Sequence, residues 1–133
     1  MNEVFVYGTL QKEFGNHRVM GSAGGQFLGK ASTVDNYPLV VDGLPYLIDK
    51  KGEGSRVEGE VYRANNFSPL DCLEGHPTFY ERRVRDVELE DGRVIPVWMY
   101  FLNGNDWVSL DDKIYWSSYT EALGDREKRL SAY

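Results

Sequence analysis

An unbroken apolar run, Val4-Phe5-Val6-Tyr7, lies at the start of the chain. Its β-branched and aromatic residues carry no polar interruption, the pattern of a central strand covered on both faces. Gly8 ends the run. The stretch from Gln11 to Gln26, rich in Gly, Ser and Asn, predicts a loop with a helical turn at Asn16 to Met20. Short strands follow at Phe27 to Val34, Tyr37 to Val41, Tyr46 to Ile48 and Arg56 to Tyr62, with turn signals at Asp42-Gly43 and Gly52-Glu53-Gly54. Ser68 to Pro77 breaks this rhythm. Ser68 suits a cap, Pro69 the first helical position, Asp71 a reach-back to the cap, and Gly75 with Pro77 a stop, so a helix of about two turns should end at Glu74. Glu81 to Glu90 and Arg93 to Phe101 pair about Asp91-Gly92, with Pro96 placing the second strand on an edge or at a bulge. The tail holds one short helical pattern, Tyr119 to Leu123, and then a charged end, Asp125 to Arg129, expected to fray. No repeat or linker interrupts the chain. Residues 1–133 therefore read as a single α+β domain, a small curled sheet or β-barrel with short flanking helices.

Charge narrows the classes of partner. Fifteen Lys plus Arg against twenty-one Asp plus Glu leave no basic surplus to displace counterions, which argues against nucleic acid and against an anionic membrane surface. The single cysteine, Cys72, cannot form an internal disulfide. Met1 to Gly8 lacks the charged and apolar regions of a signal peptide, and no apolar run approaches a bilayer span, so a cytoplasmic protein is expected. Asn66-Phe67-Ser68 matches the glycosylation acceptor pattern, which a cytoplasmic protein does not use.

Several stretches resemble functional motifs and fall short. Gly24 to Ala31 nearly spells a phosphate-binding loop, but Ala31 lacks the hydroxyl that would hold magnesium and no helix follows, so a loop leading into a strand is the expectation. Cys72 and His76 stand four apart, as a nucleophile and base on one helical face would, yet Gly75 and Pro77 interrupt that face. A metal centre is not expected, since His17, His76 and Cys72 have no usual zinc spacing. Glu58 and Glu60 alternate along a strand and share one side of it; Glu58 reads as solvated and Glu60 is left open.

Glu74 is the carboxylate of most interest. It sits in the last turn of the short helix, where the carbonyl ends disfavour an anion, and Leu73 and Phe79 are placed to desolvate it, so its pKa should rise toward the range of a general base. An exposed glutamate at a poorly matched helix end is the competing reading.

Val6-Tyr7-Gly8-Thr9-Leu10, Tyr37-Pro38-Leu39-Val40, Val57-Glu58-Gly59-Glu60-Val61-Tyr62 and Leu73-Glu74-Gly75-x-Pro77-x-x-Tyr80-x-Arg82 resemble, in unbroken order, the γ-glutamylcyclotransferase-like superfamily. Asn16-His17-Arg18-Val19 makes the chain most similar to the γ-glutamylamine cyclotransferase branch. The resemblance implies a small barrel, no cofactor and a small-molecule γ-glutamyl substrate, whose α-amine attacks its own γ-carbonyl to give 5-oxoproline and a free amine. It implies Glu74 as the catalytic acid/base and Tyr7, Gly8, Thr9 and Leu10 as the substrate-holding turn, whose backbone N–H groups would hold either the carboxylate or the developing oxyanion. Tyr80 and Arg82 are added as substrate-binding residues because alternate strand positions share a face, although Arg82 could equally pair with an acid. Tyr100 and Tyr119 are further candidates for lining the pocket. A module on the same fold that binds without turnover is the alternative. One test of the reading is geometric: the N–H groups near Gly8 to Leu10 and the Glu74 carboxylate should face one cavity.

Overall fold

The apolar N-terminal run becomes β1 (Glu3–Val6) at the centre of a closed five-stranded barrel in a computed structural model, which describes residues 1–12, 14–42, 44–103 and 116–124. The remaining elements are α1 (His17–Ser22), β2 (Gln26–Thr33), β3 (Leu39–Asp42), β4 (Leu44–Leu47), β5 (Glu58–Arg63), α2 (Ser68–Glu74), β6 (Tyr80–Leu89) and β7 (Val94–Leu102), with a further helical segment over residues 119–124. The turn residue Gly43 and the charged stretch Asp125 to Arg129 lie outside the described residues.

The barrel order is β1-β5-β2-β6-β7. Closure comes from a short parallel pairing of β1 with β7, Val4 opposite Trp98 and Phe5 opposite Met99, while every other neighbour in the barrel is antiparallel. Pro96 lies outside that parallel stretch, on the part of β7 that β1 does not reach. The region resembling a phosphate-binding loop is strand: Gly29 marks a bulge in β2, and Lys30 pairs with Glu60 of β5.

Alternation along the strands sorts the apolar residues into two clusters. Phe5, Val61, Val87, Val97, Met99 and Phe101 fill the barrel interior, joined by Leu39 and Leu47 from the small β3–β4 sheet. The intervening residues Val4, Val6, Tyr62, Tyr80, Tyr100 and Leu102 face outward and are covered by Met20 of α1 and Leu70 of α2. Among the described residues no helix is long and apolar enough to cross a membrane.

α2 ends at Glu74 as the sequence predicts, but it starts one residue earlier than a Ser68 cap would place it, and its capping differs. Phe67 is the N-cap, with no side-chain cap bond, and the Ser68 N–H donates to Asn66 Oδ1 at 3.0 Å. Asp71 does not reach back to the helix start, because its carboxylate finds the Arg82 guanidinium instead. The helix stops at Gly75, which takes the left-handed φ of +65° that a Cβ would oppose, and the His76 N–H closes the end on the Asp71 carbonyl at 2.9 Å. Gly21 on α1 is the opposite case: it is exposed, lacks a positive φ, and a Cβ there would meet nothing within 4 Å. Gly21→Ala should therefore stabilise the protein by about 0.5–1 kcal/mol, read as a raised urea midpoint with an unchanged slope.

Candidate active site

Four segments distant in sequence converge at one end of the barrel around a cavity of about 370 Å³. The turn after β1 contributes Tyr7, Gly8, Thr9 and Leu10; the end of α2 contributes Cys72, Leu73, Glu74 and Gly75; β4 contributes Leu44 and Pro45; the start of β6 contributes Tyr80. Tyr100 of β7 and Asn16 complete the wall at its polar side. The turn and the helix end both follow elements whose apolar residues pack into the outer cluster, so the burial of Val6 and Leu70 is what brings Gly8 toward Glu74.

Inside the turn, the hydrogen-bond acceptors are already engaged. The Gly8 carbonyl accepts from the Gln11 N–H at 3.1 Å and from Gln11 Nε2 at 3.2 Å. Thr9 Oγ1 accepts from Asn16 Nδ2 at 2.8 Å, and the Leu10 carbonyl accepts from His17 Nδ1 at 3.0 Å. The Lys12 N–H donates to the buried carboxylate of Glu60 at 2.9 Å, which ties the end of the turn to β5. By contrast, the N–H groups of Gly8, Thr9 and Leu10 have no acceptor among the described residues. Gly8 itself has no positive φ; a Cβ at this position would lie 2.8 Å from Pro45 Cγ, so glycine is required by the close approach of β4 rather than by the turn.

Across the cavity, Glu74 is half-buried beside Tyr7, Tyr80 and Tyr100. Tyr7 donates its hydroxyl to the Tyr100 carbonyl, Tyr80 to the Pro45 carbonyl and Tyr100 to Asp71 Oδ1, each at 2.6 Å. No hydrogen bond reaches the Glu74 carboxylate from the described residues. Burial without a compensating donor raises its pKa from the ordinary 4.5 to about 7. The same burial raises all three phenols, with the negative charge of Glu74 adding to the effect, so they remain protonated. No Lys or Arg side chain lines the cavity among the described residues.

Of the residues singled out in the sequence, Tyr7, Gly8, Thr9, Leu10, Glu74, Tyr80 and Tyr100 line this cavity together. Arg82 does not. Its guanidinium grips Asp71 through Nε to Oδ1 at 2.9 Å and Nη2 to Oδ2 at 3.3 Å, sandwiched between Trp98 (4.5 Å to the ring centre) and Phe67 (4.9 Å). Sharing a strand face with Tyr80 carries Arg82 to the flank of α2, two residues too far along β6 to reach the cavity. Tyr119 also lies apart, against Phe14. His76 is no partner of Cys72, since its Nδ1 accepts the Arg82 N–H at 3.2 Å. Glu58 is exposed, and Glu60, left open by the sequence, is a structural acceptor for Lys12 and for the Tyr62 hydroxyl at 2.9 Å. Among the described residues no cluster of metal-ligating side chains forms. Leu44, Pro45 and Asn16 went unassigned as lining residues. Leu44 and Pro45 carry no local signal, because only the β3–β4 hairpin brings them across; Asn16 was visible only as part of the Asn-His pair.

Residues 4–120 match the model of a family described as gamma-glutamyl cyclotransferase, AIG2-like. A human gamma-glutamylaminecyclotransferase is 41% identical over 100 residues, covering 68% of this chain and 64% of that protein. A Methanocaldococcus jannaschii protein provisionally named a gamma-glutamylcyclotransferase is 38% identical over 103 residues, covering 76% of this chain and 84% of its own. A solved structure of an AIG2-like protein from Mus musculus superposes with a TM-score of 0.78 at 31% identity, covering 90% of this chain and 88% of that one.

Proposed function

We propose, from the fact that this chain belongs to the gamma-glutamyl cyclotransferase, AIG2-like family, that it converts a γ-glutamyl amide into 5-oxoproline and a free amine, with Glu74 moving the proton. The observation that carries the assignment of Glu74 is its placement: a carboxyl raised to about 7, free of hydrogen bonds from the described residues, facing the turn with unpaired N–H groups across one small cavity.

The chemistry asks for little else. A γ-glutamyl α-amine is an ammonium at neutral pH and must lose a proton before it can act as a nucleophile. Glu74 as carboxylate takes that proton. The amine nitrogen then forms a bond to the γ-carbonyl carbon, whose electrons move to the oxygen. As that oxyanion collapses, Glu74 gives the proton to the departing nitrogen and its bond to the carbon breaks; the ring nitrogen still holds a second proton of the former ammonium, which passes through the Glu74 carboxylate to the released amine, leaving a neutral lactam and an ammonium. Atoms and charge balance without water or any other reactant. Because nucleophile and electrophile belong to one molecule, holding the substrate folded supplies much of the acceleration. With no Lys or Arg of the described residues lining the cavity, the anionic end of the substrate and the oxyanion are left to neutral donors, for which the Gly8, Thr9 and Leu10 N–H groups are placed. Tyr80 and Tyr7 wall the cavity rather than donate, since their protons are held by carbonyls.

The test is a panel of ε-(γ-glutamyl)lysine, γ-glutamyl amino acids and γ-glutamyl polyamines, assayed for 5-oxoproline. At least one should be turned over, and kcat/KM should fall about tenfold per pH unit below about pH 7 as Glu74 takes up its proton, and level off above it. Tight 5-oxoproline binding with no product from any member would mark a binding module instead.

A further inference from the structure

Resting on the function proposed above, we infer that Asn16 and His17 are positioning residues that aim the Gly8–Leu10 turn at the anionic end of the substrate. Each reaches back seven residues, Asn16 to Thr9 and His17 to Leu10, so the pair forms two adjacent rungs between the start of α1 and the turn. The chemistry of each rung is directional. A carbonyl can only accept, so His17 carries its hydrogen on Nδ1 and presents it to Leu10. Thr9 Oγ1 accepts from Asn16 Nδ2, an NH2 group that can only donate, and its own hydroxyl proton is thereby left for another acceptor.

The Gly8 carbonyl completes the arrangement. It is engaged by Gln11, and the Thr9 N–H shares its peptide plane and points the opposite way. The result is a turn whose acceptors at Thr9 and Leu10 are held by the start of α1 and at Gly8 by Gln11, and whose N–H groups and one hydroxyl are unengaged by the described residues beside the cavity. With no Lys or Arg of the described residues in the lining, anion affinity depends on the orientation of these neutral dipoles, and small rotations of the turn would be felt.

Kinetics and binding separate this role from a purely structural one. His17→Leu keeps the bulk packed on Tyr62 but removes the donor, and should raise KM for the turned-over γ-glutamyl amide and Kd for 5-oxoproline about tenfold, with kcat within about threefold. His17→Asn, whose Nδ2 sits where Nδ1 did, should recover most of that loss. Asn16→Asp costs no capping bond, since the Asn16 side chain caps nothing, yet reverses the rung, because the carboxylate must take the Thr9 proton and sets a negative charge in the wall. It should raise KM about tenfold or more and carries the test if His17→Leu does not fold. Variants that change only Tm or kcat, with KM and Kd within about twofold of wild type, would overturn the inference. A wild-type protein that binds 5-oxoproline without turnover would overturn the proposed function while leaving the Kd comparison to decide this one. If it does neither, both fall.

Discussion

Glu74→Gln should lose at least about a thousandfold of 5-oxoproline release and yet unfold at a higher temperature than wild type above pH 7. Both halves come from one fact, a carboxyl raised by burial from 4.5 to about 7. The proton shuttle ends because an amide neither accepts the ammonium proton nor returns one. Stability moves the other way because a group whose folded pKa exceeds its unfolded value favours folding while protonated. That contribution is fully present below pH 4.5 and is lost as pH rises through about 7. Between pH 5 and pH 8 the wild-type protein should lose roughly 2 to 3 kcal/mol that the neutral glutamine does not. Thermal melts of both proteins across that range, with the product assay in parallel, read the two effects together. A Tm difference that does not widen with pH would mean that Glu74 is not held as the structure has it.

Glu60 and Glu74, one buried and one half-buried, show how the same residue type is put to different ends. Glu60 accepts the Lys12 N–H and the Tyr62 hydroxyl, so its negative charge is met by donors and fastens the turn to the barrel. Glu74 has three phenols nearby, and every one donates to a carbonyl or to Asp71 instead. The Asp71–Arg82–Tyr100 cluster therefore acts at one remove: it holds α2 against β6 and β7 and occupies the hydroxyl that would otherwise solvate the base. A carboxylate that is poorly solvated when empty is relieved by an ammonium, which is the group the proposed substrate brings.

How far the sequence foretold this site depends on the range of each interaction. The end of α2, the Asp91-Gly92 turn and the Tyr7–Leu10 turn are legible because glycine and proline act locally. The cause of the raised Glu74 pKa was legible only in part. Leu73 and Phe79 do stand beside it, but the larger enclosure comes from Tyr7, Tyr80 and Tyr100, drawn from the turn after β1 and from β6 and β7. Barrel closure by the parallel β1–β7 pair joins residues more than ninety positions apart and leaves no periodic trace. Arg82 misled for a similar reason: alternation gives the face of a strand, and the neighbour on that face, Asp71, is set by packing.

Gly59→Ala should lower stability by about 3 kcal/mol and weaken substrate binding, although position 59 does not line the cavity. In the sequence Gly59 is merely the small residue between two glutamates. On β5 it lies where β1 turns away, and a Cβ there would overlap the Val6 carbonyl oxygen and fall 2.7 Å from Phe5 Cζ. The obstruction is a backbone carbonyl and a fully buried ring, neither of which can swing aside as a flexible side-chain tip would. The strain must pass into β1 at Phe5 and Val6, and the next residues along are Tyr7 and Gly8. Displacing them outward disturbs the approach of Gly8 to Pro45 and with it the wall that Tyr80 completes through its bond to the Pro45 carbonyl. Tm should fall by about 10 °C or more, with KM raised severalfold in whatever protein remains folded at the assay temperature. A Tm within about 2 °C of wild type and an unchanged KM would show that β1 and β5 do not meet at Gly59 as tightly as the barrel requires.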